Sequence, residues 1–309
     1  MSVHTVRLQQ IAQGGASPSH PVCGLVSRHV ATERILAKLD RLAPLPTVVM
    51  DVIQATEAPK TTFADLERII SRDPIVMARV FKLANSAFYA RGEPLQTIGE
   101  AVRRLGFATL KTLVVAAGAG KVLTQPMPHY AYSPFGFWKH SLGVALVTRV
   151  LAKHLGLPGH ILDQLFLAGL MHDIGKLVLD SILGEVVGGS ERFTPDMELA
   201  MVGFDHAEVG RRVATKWNLP DYVMAVIAQH HTVNAAEVFA LHAAMVHLGD
   251  CLVNHAKVGL ATRVEVEDNI NSAALEILHL DTHIGEELQA AIDDELPNII
   301  ALCEELAQC

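Results

Sequence analysis

The chain is poor in the residues that mark several common protein classes. Only 5% of its residues are aromatic, and 4 of its 309 are cysteine. Cys23, Cys251, Cys303 and Cys309 form no CxxC-type pair, which argues against a zinc ribbon or a disulfide framework and favours a reduced, cytoplasmic setting. Positive charge is in deficit: 25 Lys and Arg against 33 Asp and Glu leave a formal net charge of -8. A nucleic-acid duplex is read by a basic stripe, so no such partner is expected. No apolar run reaches the roughly 18 residues of a membrane span. The polar start from Met1 to His20 has no apolar signal core. The phosphate-cradling G-x-x-x-x-G-K-[ST], the dinucleotide G-x-G-x-x-G and the nucleophile-elbow G-x-S-x-G are all missing.

What is present is helical period. Half the residues are hydrophobic, enough to bury a sizeable core. Apolar side chains recur at three- and four-residue steps in Ile35, Leu36, Leu39 and Leu42, and again in Leu66, Ile69 and Ile70. Alternating strand patterns are scarce. Pro or Gly punctuates short connections at Pro44 and Pro46, Arg91-Gly92, Gly156 to Gly159 and Asn218 to Pro220. Thr62 or Asp65 precedes one periodic run, and Asp73-Pro74 reads as a helix start with Pro at its first position. The expectation is an all-α protein, a multi-helix bundle in two packed lobes. Residues 1–30 read as a loosely ordered lead-in, 31–125 as an N-terminal helical lobe, 135–256 as a second helical lobe and 257–309 as a helical tail, amphipathic and acidic from Leu278 to Cys309. The Pro- and Tyr-rich stretch from Gln125 to Pro134 reads as the linker between lobes.

The second lobe carries an unusual series, drawn from a total of 16 histidines. His140 falls early in a helix. His172-Asp173 falls late in an apolar one, within Leu170 to Lys176. His206 opens a helix, His230-His231 closes the helix that follows Pro220, and Asp250 lies in Val246 to Asp250. Taken singly, a helical histidine is usually a surface or satisfied core residue, and His230-His231 alone suits a helix C-terminus. Taken jointly, several short motifs in one helical lobe point to a metal centre. Imidazole suits Fe, Zn and Ni, and carboxylate suits harder ions such as Mn and can bridge two. Ligands from separate helices would meet in a bundle core. His172 and Asp173 are adjacent, about 100° apart on a helix, and reach one site only over a helix edge or terminus. Lys176 follows His172 by one turn and is positioned to neutralise a phosphate oxygen. Two ions sharing one aspartate can clamp a displacement at phosphorus. His129, His154, His160, His242, His247, His255, His279 and His283 fit no such motif.

In this order His…His-Asp…His…His-His…Asp, the second lobe resembles the HD superfamily of metal-dependent phosphohydrolases. It is similar to the HD-GYP branch, which hydrolyses cyclic di-GMP. The resemblance implies metal ligation by His140, His172, Asp173, His206, His230, His231 and Asp250, a catalytic role for Asp173 and Lys176, and one or two ions of Fe, Mn, Ni or Zn. The stretch after His231, Thr232 to Ala236, has no Gly-Tyr-Pro signature. The first lobe resembles the HDOD family of bacterial signalling proteins, through Leu42 to Thr47, Ile70 to Ile75, Leu83 to Tyr89 and Ile98 to Gly106. HDOD proteins typically lack the complete metal set and act as regulatory modules, so the resemblance implies two functions. One is a phosphohydrolase or phosphodiesterase acting on a phosphate-containing small molecule or nucleotide. The other is an adaptor for a signalling protein partner, with a structural metal or none.

Overall fold

A computed structural model describes residues 28–307 apart from 43, 58–59, 87, 90–91, 188–192, 262–269 and 281. The expected lead-in thus lies largely outside the described residues. The all-α expectation holds. Helices α1 (Arg28–Arg41), α2 (Thr47–Glu57), α3 (Phe63–Ile70), α4 (Pro74–Ala84), α5 (Ile98–Leu105) and α6 (Phe107–Leu123) come first. After a 3-10 turn at Pro128–Tyr130 follow α7 (Gly136–His154), α8 (Gly159–Met171), α9 (Lys176–Val187), α10 (Pro195–Val202), α11 (His206–Lys216), α12 (Asp221–Gln229), α13 (Ala240–His255), α14 (Ser272–Ile277) and α15 (Thr282–Ala307). Among the described residues the extended backbone forms only an isolated bridge between Tyr132 and Leu260.

The helix starts follow from local chemistry. Thr62 caps α3 in a reciprocal box with Asp65, and Thr97 caps α5 in the same way with Glu100. Asp73 caps α4 by accepting from the amides of Ile75 and Val76, with Pro74 at the first helical position. The Leu83–Tyr89 motif turns the chain. Ser86 Oγ donates to the Leu83 carbonyl at 2.7 Å, and the Asn85 side chain exchanges two hydrogen bonds with the Leu95 backbone, at 2.7 and 3.1 Å.

At the centre lies α7, apolar on nearly every face and packed against α8, α13 and α15. A helix hydrophobic all round is one that neighbours cover on all sides. Small residues let those neighbours come close. A Cβ on Gly169 of α8 would sit 3.0 Å from the Ala145 Cα, and one on Gly249 of α13 would sit 2.3 Å from Thr148 Oγ1. The first six helices join this core mainly through α6, which packs on α2, α4, α7 and α8. A half-buried polar cluster ties the same seam: Arg149 Nη1 donates to Asp163 Oδ1 at 2.7 Å, Thr109 Oγ1 donates to Asp163 Oδ2 at 2.9 Å, and the Arg149 guanidinium lies 4.6 Å from the Tyr89 ring centroid. Met127, Tyr130 and Ala131, in the stretch expected to link two lobes, are all buried.

Forcing a branched side chain into the α7–α13 contact overpacks it. Gly249→Val is expected to cost about 1–3 kcal/mol, read as a fall of several degrees in the thermal melt. Gly159→Ala, where a Cβ would meet nothing within 4 Å, leaves the melt unchanged or raises it. Equal melts for the two variants would contradict the packing described.

Candidate metal centre

Five stretches of chain converge beside α7. His140 comes from the first turn of that helix. The α8 helix stops at Met171, with His172 as its C-cap, and residues 172–175 form a turn before α9 begins at Lys176. That turn solves the problem of two adjacent ligands: His172 and Asp173 point to one place because the helix has ended. His206 is the first residue of α11, whose N-cap Asp205 accepts from the Glu208 amide at 2.7 Å. His230 is the C-cap of α12, with His231 next, and Asp250 lies in α13. Close backbone contact sets the register of α11 against the turn. A Cβ on Gly175 would fall 1.9 Å from the His206 carbonyl oxygen and 2.6 Å from the Gly210 nitrogen.

The structure brings all seven ligand-type residues named from the sequence together, in two groups. One is His140, His172 and Asp250; the other is Asp173, His206, His230 and His231; within each, one candidate donor atom per residue lies within 4.8 Å of the others. Asp173 joins them. Its Oδ2 is 3.5 Å from His140 Nε2 and 3.3 Å from His172 Nε2, while its Oδ1 is 3.1 Å from His206 Nε2 and 3.7 Å from His230 Nε2. Asp250 Oδ1 closes the first group, 3.2 Å from His140 Nε2 and 3.6 Å from His172 Nε2. His231 Nε2 closes the second, 2.9 Å from His206 Nε2.

The outward nitrogens of three rings are spoken for. His172 Nδ1 donates to the Gly169 carbonyl at 2.7 Å, and His230 Nδ1 sits 3.1 Å from the carbonyls of both Val226 and Ile227. His206 Nδ1 faces Glu198, 2.8 Å from Oε2. Such bonds fix the tautomer that leaves Nε2 for a metal. Glu198, with none of its surface exposed, also accepts from the His206 amide at 2.6 Å and from the Tyr130 hydroxyl at 2.7 Å. Asn254 donates to Asp250 Oδ1 at 2.9 Å. Lys176 Nζ donates to Asp173 Oδ2 and lies 5.5 Å from the Tyr130 ring centroid, and the Tyr132 hydroxyl is 3.5 Å from Asp173 Oδ2.

These surroundings set the charges. Burial opposes ionisation of Asp173, yet the positive charges of His172, Lys176 and His206 hold its carboxyl well below the usual range. Burial likewise opposes protonation of His172, but Asp173 and Asp250 outweigh it and raise the ring to about 10. His206 rises to about 9 against the same burial, chiefly through Glu198. Burial, reinforced by the charges of His230 and His206, pushes His231 far below the ordinary imidazole value. The short His206–His231 contact fits a protonated His206 donating to a neutral His231.

The donor set fits a metal. Several buried side-chain atoms lack an aligned hydrogen-bond partner among the described residues, and four of them, Nε2 of His140, His172 and His230 and Oδ1 of Asp173, cluster in one place. All four are ligand atoms aimed into the two groups, and a cation would satisfy them together.

Of the other histidines, His129 pairs with Asp180 (Nδ1 to Oδ2 3.3 Å), His242 with Gln164 (2.9 Å) and His247 with the Asn271 amide (2.9 Å), none of them within the two groups. Sequence reasoning missed Glu198, Tyr130, Tyr132 and Asn254. Glu198 reads as an ordinary acid in the first turn of α10, and the tyrosines fell in the expected linker. Only Asn254 left a signal, one helical turn after Asp250.

The sequence profile of the HDOD domain family matches residues 42–233, which takes in every candidate ligand except Asp250. An uncharacterized protein of Treponema pallidum (strain Nichols) is 29% identical over 204 residues, 64% of this chain and 39% of that protein. A ribonuclease Y of Lactobacillus gasseri is 30% identical over 167 residues, 54% of this chain and 26% of that protein. The chain thus spans well under half the length of these curated relatives. Among solved structures, an HDOD domain protein of unknown function from Geobacter sulfurreducens superposes with a TM-score of 0.71 at 23% identity, covering 91% of this chain and 98% of the other. A provisionally named phosphohydrolase from Shewanella amazonensis SB2B gives 0.64 at 24% identity, covering 89% and 98%. At such identities these two structures speak to the fold, and they share it. Matched by the family profile over more than half its length, this chain belongs to the HDOD domain family.

Proposed function

We propose that this protein is a bacterial signalling protein that holds two metal ions, bridged by Asp173, and hydrolyses a phosphate ester or phosphodiester. The observation that carries this reading is the division of labour in Asp173: one carboxylate oxygen faces His140 and His172, the other faces His206 and His230. His140, His172 and Asp250 would hold one ion, and His206, His230 and His231 the other. Bound ions would supply Lewis-acid polarisation of a phosphoryl oxygen and a lowered pKa for water. The chain's own contribution is placement and charge. Glu198 fixes the His206 ring, backbone carbonyls fix His172 and His230, and the Lys176 ammonium at the centre is positioned to neutralise a phosphate oxygen once it leaves Asp173. Lack of the Gly-Tyr-Pro signature speaks against cyclic di-GMP as the substrate. No helix among the described residues is long and apolar enough to cross a membrane.

The depth of the site favours a second reading, in which the metal is structural and the chain is an adaptor for a signalling partner. His140, His172, Asp173, His206 and His230 are each at most 1% exposed, and Lys176 occupies an oxygen of Asp173. A panel of nucleotides and phosphodiesters decides between them. Turnover that depends on metal and disappears in Lys176→Ala supports hydrolysis; a metal-loaded protein inert across the panel supports the adaptor.

Metal content of protein purified without chelator gives the direct test. Wild type is expected to carry about one to two equivalents of Fe, Mn, Ni or Zn, and Asp173→Ala to carry none. Glu198→Gln, which keeps the shape but weakens the hold on His206, is expected to lower metal affinity about 10–100-fold. Full occupancy in Asp173→Ala would end the bridged reading.

Metal uptake must also displace protons. In the metal-free protein His172 and His206 have been raised to about 10 and about 9, so both are charged at neutral pH. Their ion pairs stabilise the metal-free fold fully below about pH 6.5, and that contribution fades as pH climbs through 9 to 10. Calorimetry at pH 7 should therefore record release of about one to two protons on metal binding, seen as a heat that varies with buffer. Affinity should rise with pH up to about 9 to 10. A heat independent of buffer would show the rings already neutral.

A further inference from the structure

A second concave site lies away from the two histidine groups. It is a cleft of about 660 Å³ between the α1–α2 connection and helix α9. Pro44, Pro126 and Leu177 give it apolar walls, and Arg41, Asp73 and Asp180 put charge at its sides. Its volume falls in the range of small-molecule sites, and its lining mixes apolar walls with polar groups. Two of its charged groups are fixed. Asp73 is held by the amides it caps at the start of α4. Asp180 accepts from the His129 amide at 3.0 Å and faces the His129 ring. Arg41, exposed at the end of α1, makes no ion pair among the described residues and is the one positive group in a lining that also holds the carboxylates of Asp73 and Asp180.

The walls of this cleft run straight into the metal centre along three connections. On α9, Leu177 follows directly after Lys176, which grips Asp173. Met127, also in the lining, leads into the 3-10 turn whose His129 bonds Asp180 and whose Tyr130 hydroxyl holds Glu198 and, through it, His206. The end of α1 is tied to α11, the helix that starts at His206, because Lys216 Nζ donates to the carbonyl of Asp40 at 3.2 Å and to that of Leu39. A molecule wedged in the cleft would bear on the partners of Asp173 and His206.

We propose that this cleft is an effector site for a small amphipathic anion, its acidic group on Arg41 and its apolar body against the proline and Leu177 walls, and that its occupancy alters the hold of the centre on metal. The Asp180 carboxylate, with accepting capacity beyond its two contacts to His129, would take a donor group on the same ligand. The site itself stands apart from the proposed hydrolase function; the effect on metal rests on the metal reading.

Anilinonaphthalene sulfonate is a suitable probe, since it joins a sulfonate, an N–H donor and an apolar ring system and fluoresces on leaving water. Titrated into chelator-stripped full-length protein, it should bind saturably with one equivalent per chain. Ser181→Trp, which fills the cleft from its α9 wall, should weaken binding about ten-fold or more, and Arg41→Glu should weaken it several-fold by opposing the sulfonate. Binding as tight as wild type in both variants would overturn the site. The second arm follows metal loss to excess chelator with and without saturating dye. A change of about two-fold or more in wild type that vanishes in Ser181→Trp supports the coupling; an unchanged rate in wild type overturns it. Dye bound in the cleft of a protein that takes up no metal overturns the metal reading and the coupling together and leaves the effector site standing.

Discussion

The two histidine groups in the second half of this chain are arranged around one buried carboxylate. Asp173 is 1% exposed, and a carboxylate taken so far from water is expensive unless it is paired. Here it meets two separate sets of imidazoles and an ammonium. The cost is offset only while all those partners stay in place, so the ends of α8, α9, α11 and α12 and the first turn of α7 are constrained together. The fold supports this with termini. His172 and His230 are C-caps, His206 opens a helix, and Lys176 opens another, so each side chain leaves its helix where the backbone changes direction. Helix ends give a designer of active sites what helix middles cannot, namely adjacent residues that face one target.

Much of this was legible in the residues. The helical period and the Pro and Gly connections specify an all-α chain, and the helix starts at Thr62 and Asp73 follow from local hydrogen bonding that depends on a few neighbouring residues. The seven ligand-type residues could be singled out because each sits in a short motif and the motifs come in a fixed order. Glu198 could not. Its sequence surroundings, an acid in the first turn after Thr194-Pro195, suit an exposed dipole-complementing residue equally well. Only tertiary packing buries it completely beneath His206. Tyr130 and Tyr132 were hidden for a related reason: a Pro- and Tyr-rich stretch without helical period reads as a spacer, and nothing local reveals that it lies over the centre. The cleft beside α9 was likewise invisible, since it is formed by segments more than a hundred residues apart.

The two halves of the chain meet through chemistry of a different kind. At the seam between α6, α7 and α8, Arg149, Asp163, Thr109 and Tyr89 form a small polar network inside an otherwise apolar contact. Apolar surfaces slide at little cost, whereas a half-buried, charge-assisted guanidinium–carboxylate pair favours one register. The network therefore keys the Leu83–Tyr89 turn to the helix pair that carries His140 and His172.

Gly175 bears on how such a protein can change over time. Because it has no side chain, backbone atoms of the turn after His172 and of the start of α11 come into direct contact, beside the Asp173–His206 side-chain pair. That backbone contact needs no histidine, no carboxylate and no ion. A descendant could lose every donor group of the centre to mutation and still keep that backbone contact, so the shape can outlive the donor set.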